Sequence, residues 1–139
     1  MIVLDTNVVS EMLRATPADP VRHWIESQLA TDLYTTAICE AEMLYGVALM
    51  PAGRRRTALG QAVAAIFAED FSGRVLAFDS PAAQAFAELA TVRRRSGRPI
   101  SQFDAQIAAI AASHGATVAT RDLDDFADCG VKVVSPWET

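Results

Sequence analysis

Apolar residues in this chain come in short runs, and the stretches between the runs carry helical periodicity. Residues 2–5 (IVLD), 33–37 (LYTTA), 74–79 (RVLAFD), 116–120 (ATVAT) and 131–135 (VKVVS) read as strands. NVVSEMLR, PVRHWIESQLA, ICEAEMLYGVALM, residues 54–71, residues 80–97 and SQFDAQIAAIAASHG read as helices. Pro20 suits a first helical turn, and Ser80-Pro81 fits an N-cap followed by the first helical position. Gly115 closes the last helix. Strands alternating with helices predict a three-layer α/β/α sandwich around a mostly parallel sheet. No repeat, low-complexity tract or linker interrupts the pattern, so residues 1–139 are expected to form one domain.

The periodicity also places charge. In open parallel sheets, ligands bind beyond the carboxyl ends of the strands. Asp5 ends the first strand, and Asp122 lies two residues past ATVAT. Glu42 lies early in the helix leaving LYTTA. The helix carrying Asp104 turns straight into ATVAT through His114-Gly115 and should run antiparallel to it. Ten helical residues rise about 15 Å, and five strand residues span about 17 Å, so Asp104 should return to the same edge. Each acid has an ordinary structural reading. Asp5 suits an N-cap, Asp104 a capping box with Ser101, and Asp122 a turn. Glu42 shares a stripe with Ile38, Ala41, Tyr45 and Leu49, where an unpaired charge is costly. Together the four need a cation or a proton. Asp79 also ends a strand, but beside Ser80-Pro81 it reads as structural.

Composition narrows the chemistry. The chain has 139 residues, 51% of them hydrophobic, and a net charge of -5, which is globular rather than disordered. No apolar stretch is long enough to cross a bilayer, and MIVLDTN does not resemble a signal peptide. Cys39 and Cys129 lack metal-site spacing, so a reducing cytoplasm is the expected location. His23 and His114 are isolated. Oxygen donors alone favour magnesium or manganese. The run TRDLDDFADCG is not a calcium loop, because Phe126 and Ala127 occupy positions that need an oxygen ligand and glycine. With no phosphate-binding GxxxxGK[ST] loop and no covalent nucleophile paired to a base, metal-assisted phosphodiester hydrolysis is the natural reading. The basic residues are eleven arginines and Lys132. Arg54 to Arg56 form one cluster, and Arg93, Arg94, Arg95 and Arg98 another. The second cluster closes a helix, where positive charge favours the dipole, and it is also a candidate for RNA-phosphate contacts.

At this point four motifs in order resemble PIN-domain ribonucleases. MIVLDTNVVSE is similar to that family's opening, TTAICEAEMLYG to its second motif, SQFDAQIAAIA to its third and ATRDLDDF to its fourth. The closing SPWE resembles the branch of VapC-like and FitB-like toxins from bacterial toxin–antitoxin pairs. The resemblance implies a magnesium- or manganese-dependent endoribonuclease, usually a homodimer, with RNA as substrate. It also implies an antitoxin whose tail crosses the site and places an arginine among the acids. By the same resemblance Asp5, Glu42, Asp104 and Asp122 would be metal ligands. Thr6 and Thr120 would orient carboxylates or water, while Asn7 and Asp125 would support them. Asp124 and Asp128 have no counterpart and are expected to face solvent.

Other classes stay in view. A receiver-like signalling domain has a similar size and acidic pocket, and Asp79 would be its phospho-acceptor. Lys132, however, starts its strand and so lies at the wrong edge. A PIN-type RNA-processing nuclease without an antitoxin, an inactive binding relative and a structure-specific DNA nuclease are further alternatives. The apolar stretches 8–13 and 44–50 suit either a dimer face or the core.

Overall fold

The computed structural model describes residues 1–138. Five strands are each followed or preceded by helices: β1 (Ile2–Leu4), α1 (Thr6–Met12), α2 (Asp19–Glu26), β2 (Leu33–Thr36), α3 (Ala37–Leu49), α4 (Arg54–Ala65), β3 (Val75–Leu76), α5 (Ser80–Arg95), α6 (Gln102–Ser113), β4 (Thr117–Ala119) and β5 (Val133–Val134). The sheet order is β3-β2-β1-β4-β5, and every pairing is parallel. The expected α/β sandwich is therefore present, with a wholly parallel sheet.

Side-chain alternation along the strands builds the two cores. Val3, Val118 and Val133 point to one face, with Ala105, Ala108 and Leu89 of α6 and α5. Leu4, Ala119 and Val134 point to the other, with Val8, Val9, Cys39 and Val63 of α1, α3 and α4. A period of two thus divides each strand between two helical layers. Val8 and Val9 belong to the core, whereas Leu44, Tyr45 and Leu49 on α3 are exposed.

The strand order locates the site. From β1 the chain moves outward through β2 to β3, then returns to the other side of β1 at β4. The order reverses between β1 and β4, so their following loops part and leave a crevice. Residues 5 and 120 sit at its floor.

Strands β3 and β5 are shorter than the expected 74–79 and 131–135, and three helix ends also differ from expectation. α2 stops at Glu26, and residues 30–32 form a separate 3-10 turn before β2. The helix expected across residues 54–71 is α-helical only to Ala65. It finishes in a π-turn at Ile66–Asp70, where the Phe71 N–H reaches the Ile66 carbonyl at 2.9 Å. The cap of α5 is Asp79 rather than Ser80, its carboxylate accepting from the Ala82 N–H at 3.1 Å. The structural reading of Asp79 holds, and β3, beside which it lies, is the outer strand.

Arg93, a candidate for RNA-phosphate contact, is turned into the fold. Arg93 continues the buried stripe of α5 formed by Ala82 and Leu89 and is only 5% exposed. Its guanidinium donates to the carbonyls of Arg98 (2.7 Å), Asp125 (3.0 Å) and Ala127 (2.7 Å). It is a clamp on the loop after β4, with Nε and Nη1 committed to these carbonyls. Arg98 pairs instead with Asp128 at 2.8 Å, which tethers that loop a second time. Arg94 and Arg95 are exposed at the helix end.

Removing the clamp leaves the carbonyls of Arg98, Asp125 and Ala127 without the charged donor they now share. Arg93→Met is expected to destabilise the protein by about 3 kcal/mol, or roughly 10 °C in Tm. Arg93→Lys should recover only part of this, because an ammonium lacks the planar fork. Thermal unfolding followed by circular dichroism measures both; a loss below about 1 kcal/mol in Arg93→Met would show that the clamp is dispensable.

Candidate active site

The end of β1 carries the most buried acid. The Asp5 N–H extends the β1–β4 ladder by donating to the Ala119 carbonyl at 2.9 Å. Its side chain, 4% exposed, caps α1 by accepting from the Thr6 N–H at 2.8 Å. The capping role foreseen for Asp5 is real, but it occupies only one oxygen. The other, Oδ2, accepts from the Thr120 hydroxyl at 2.8 Å. Thr120 stands at the end of β4 and is fully buried, so this bond ties the two sides of the crevice together.

From there a chain of hydrogen bonds reaches Glu42 and Asp122. The Thr6 hydroxyl donates to Glu42 Oε1 at 2.8 Å. Thr36 caps α3 by accepting from the Cys39 N–H at 3.0 Å, and so starts the helix that delivers Glu42. Asn7 Nδ2 donates to Asp122 Oδ2 at 3.1 Å, and Asn7 Oδ1 accepts from the Arg121 N–H at 3.2 Å. The Thr120 oxygen also accepts from the Asp122 N–H at 3.1 Å. Thr6, Asn7 and Thr120 are thus the joints between Glu42, Asp5 and Asp122.

Asp104 arrives from α6 by the antiparallel return expected of it. Ser101 caps that helix, its hydroxyl accepting from the Asp104 N–H at 3.2 Å, and Gly115 ends it with a positive φ of 63° that glycine adopts without strain. Asp125 is exposed at the rim, its N–H donating to the Asp122 carbonyl at 3.1 Å. Its charge bears on Asp104. Asp124 is exposed, as is Asp128, whose φ of 57° is left-handed.

The electrostatics follow from this crowding. Burial, helped by the charges of Asp104 and Glu42, lifts Asp5 to about 6, while bonds from Thr120 and Thr6 hold it down. Burial likewise raises Glu42, with Asp104 adding to the effect and Thr6 opposing it. Asp104 is raised by burial and by the charges of Asp125 and Asp122, and lowered by Ser101 and Arg93. None of the four is in an ion pair among the described residues.

An oxygen-only donor set with unbalanced negative charge fits a hard divalent cation. Among the described residues, no three acids, histidines or cysteines close into a ready-made cage. Magnesium does not require one, since it keeps several waters and binds through one or two carboxylates. The donors therefore suit such an ion with part of its hydration shell retained.

The cleft above these residues holds about 510 Å³ and is lined by Asp5, Glu42, Asp104 and Asp122 together with Ser10, Glu11, Arg14, Arg121 and Trp137. Sequence reading missed the last five. Glu11 is buried and faces Arg14 at 3.3 Å. Asn7, Ser10, Glu11 and Arg14 recur at three- and four-residue spacing, which marks one face of the first helix and the turn beyond it. Arg121 lies inside ATRD, and its guanidinium rests 5.1 Å from the Trp137 ring centre. Nothing local could have brought Trp137 here, because it follows the last strand. Arg94, Arg95 and Arg98 do not line the cleft.

The raised value of Asp5 gives a testable sign. The folded state holds this proton up to about 6, against 3.8 in a free chain. The resulting stability is full below the lower value and is lost as pH rises through the higher one. In EDTA, Asp5→Asn should therefore be more stable than wild type at pH 7, by on the order of 2–3 kcal/mol. The difference should vanish near pH 4. Denaturant melts at the two pH values check this; equal stability at pH 7 would mean the buried charge carries no penalty.

Comparison with known proteins agrees with the geometry. Residues 2–132 match the PIN domain model. VapC ribonuclease Y4jK of Sinorhizobium fredii is 44% identical over 138 residues, 99% of each chain. Toxin FitB of Neisseria gonorrhoeae is 40% identical over 137 residues, again 99% of each. The crystal structure of FitAcB from that organism superposes with a TM-score of 0.92 at 40% identity, over 100% of both chains. VapBC-5 of Mycobacterium tuberculosis, from the VapBC family of toxin-antitoxin systems, gives 0.69 at 31% identity, over 96% of this chain and 94% of that one. This chain, with its four acids drawn to the β1–β4 crevice, belongs to the PIN domain family.

Proposed function

We propose that this protein is a magnesium- or manganese-dependent endoribonuclease and the toxin half of a toxin–antitoxin pair. The observation that carries the reading is the convergence of Asp5, Glu42, Asp104 and Asp122 from four separate stretches on one crevice. The relatives' names, a ribonuclease and a toxin at 44% and 40% identity, support it. No helix among the described residues is long and apolar enough to cross a membrane, in keeping with work on RNA in the cytoplasm.

In this reading the four carboxylates hold the ion, chiefly Asp5 and its neighbours Glu42 and Asp104. The ion supplies Lewis-acid polarisation of the phosphoryl oxygen and a more acidic water. The chain supplies the rest. Thr120 and Thr6 fix which oxygens of Asp5 and Glu42 are engaged by protein, leaving the remaining lone pairs to the cleft. Burial and mutual repulsion disfavour the charged forms of Asp5, Glu42 and Asp104, a cost that a bound cation would offset. Asn7 restrains Asp122, which is otherwise exposed.

Two partners belong to the same proposal. An apolar groove of about 400 Å³ lined by Leu13, Met43, Gly46, Val47 and Leu59 adjoins the acids and shares Thr6, Ser10, Arg14 and Glu42 with their cleft. It suits an antitoxin tail that lays apolar side chains in the groove and an arginine among the carboxylates. The exposed Leu44, Tyr45 and Leu49 of α3 suit burial against a second copy in a homodimer.

Purified protein is expected to cleave a mixed RNA pool with manganese or magnesium and to stop in EDTA. Asp104→Asn, purified alongside, should lose at least 100-fold, on the order expected for removal of a group central to catalysis. Equal cleavage by both would expose a contaminating nuclease and remove the support for the reading.

A further inference from the structure

An acidic centre repels the polyanion it is proposed to cut, so cations must stand nearby to hold the strand. The helix-end arginines do not serve. Arg93 is buried against carbonyls, Arg98 is paired with Asp128, and neither they nor Arg94 and Arg95 line the cleft. The lining of the acidic cleft contains two guanidiniums, those of Arg14 and Arg121.

They reach the cleft from different elements. Arg14 follows α1 and also borders the apolar groove between α1, α3 and α4. Arg121 follows β4 and also borders the loop holding Asp124 and Asp125. Each is held in place yet open. Arg14 meets the buried Glu11 through one terminal nitrogen at 3.3 Å while its side chain stays 67% exposed. The Arg121 N–H is pinned by Asn7, and its guanidinium is steadied by Trp137. A guanidinium already oriented loses less freedom when it grips a phosphate.

We infer that Arg14 and Arg121 are the phosphate-binding residues of this site, engaging backbone phosphates of single-stranded RNA on either side of the bond presented to the carboxylates. The inference rests on the ribonuclease reading. Trp137 is a positioning residue for Arg121, and Glu11 for Arg14. The arginines hold the strand while the acids act on it.

The test is anisotropy of a labelled single-stranded RNA across a potassium chloride series. Calcium replaces manganese so that binding is read without cleavage, and a gel verifies RNA length. For single strands each phosphate contact contributes about 0.7 to the slope of log affinity against log salt. Arg14→Gln and Arg121→Gln are each expected to lower the slope by about 0.7 and to weaken binding about fivefold near ~0.1 M salt, which is that slope taken against a 1 M reference. Arg14→Lys and Arg121→Lys, which keep the charge and, at Arg14, spare Glu11 an unpaired burial, should retain the slope. The exposed pair Arg94→Gln and Arg95→Gln should leave it unchanged. Wild-type binding with an unaltered slope in both glutamine variants, or a slope lost equally in the lysine variants, would overturn the assignment alone. Absence of RNA binding by wild-type protein would overturn the ribonuclease reading together with it.

Discussion

The hydroxyl of Thr120 donating to Asp5 joins the ends of β1 and β4 at the one place where the strand order reverses. Everything at the site is arranged around that bond. It holds a buried carboxylate whose ionisation is disfavoured by its surroundings, and it places Thr120 to accept from Asp122 and Asn7. The opposite side of Asp5 is held by the first N–H of α1, and the next hydroxyl in that helix holds Glu42. A hydrogen-bond chain two threonines and one asparagine long thus sets Asp5, Glu42 and Asp122 in a crevice created by topology, and α6 brings Asp104 to it separately. The fold stores electrostatic repulsion here, and a bound cation is the natural way to relieve it.

A second device keeps the last motif in place. The loop after β4 bears Asp122 and Asp125 but has little regular structure beyond a short 3-10 turn. Phe126 anchors it in the core, Arg93 gathers its carbonyls, and Arg98 ties Asp128. Arg93 also lowers Asp104 electrostatically, so one buried guanidinium braces the loop and tempers the nearest acid. The run of four aspartates therefore divides by role. Asp122 lines the cleft, Asp125 acts on Asp104 through its charge, Asp128 bonds the α5–α6 turn, and Asp124 is exposed.

Much of this is legible in the amino-acid sequence. Strand and helix alternation gave the sandwich because each strand is short and bounded by helix starts that capping residues announce. The edge shared by Asp5, Glu42 and Asp122 follows from their places at and just after strand ends, and helix and strand lengths bring Asp104 to it. The three arginines at 93–95 were harder, since a charge run looks solvated. Yet Arg93 lies four residues after Leu89 and eleven after Ala82, on the buried stripe of α5, and that spacing distinguishes it from its neighbours. Trp137 lay beyond reach, because its position depends on where the chain goes after β5 and no periodicity governs that. The π-turn at Ile66–Asp70 was equally hidden, being a local departure within a helix whose pattern reads as continuous.

The central claim is that the carboxylates at the β1–β4 crevice form a binding site for a hard divalent cation. Calorimetric titration of manganese into EDTA-stripped and dialysed protein tests it without reference to RNA or turnover. Saturable binding in wild type that weakens at least tenfold in both Glu42→Gln and Asp104→Asn, with each variant folded by circular dichroism, is the predicted result. No saturable heat in wild type, or affinity unchanged in both variants, would contradict the account.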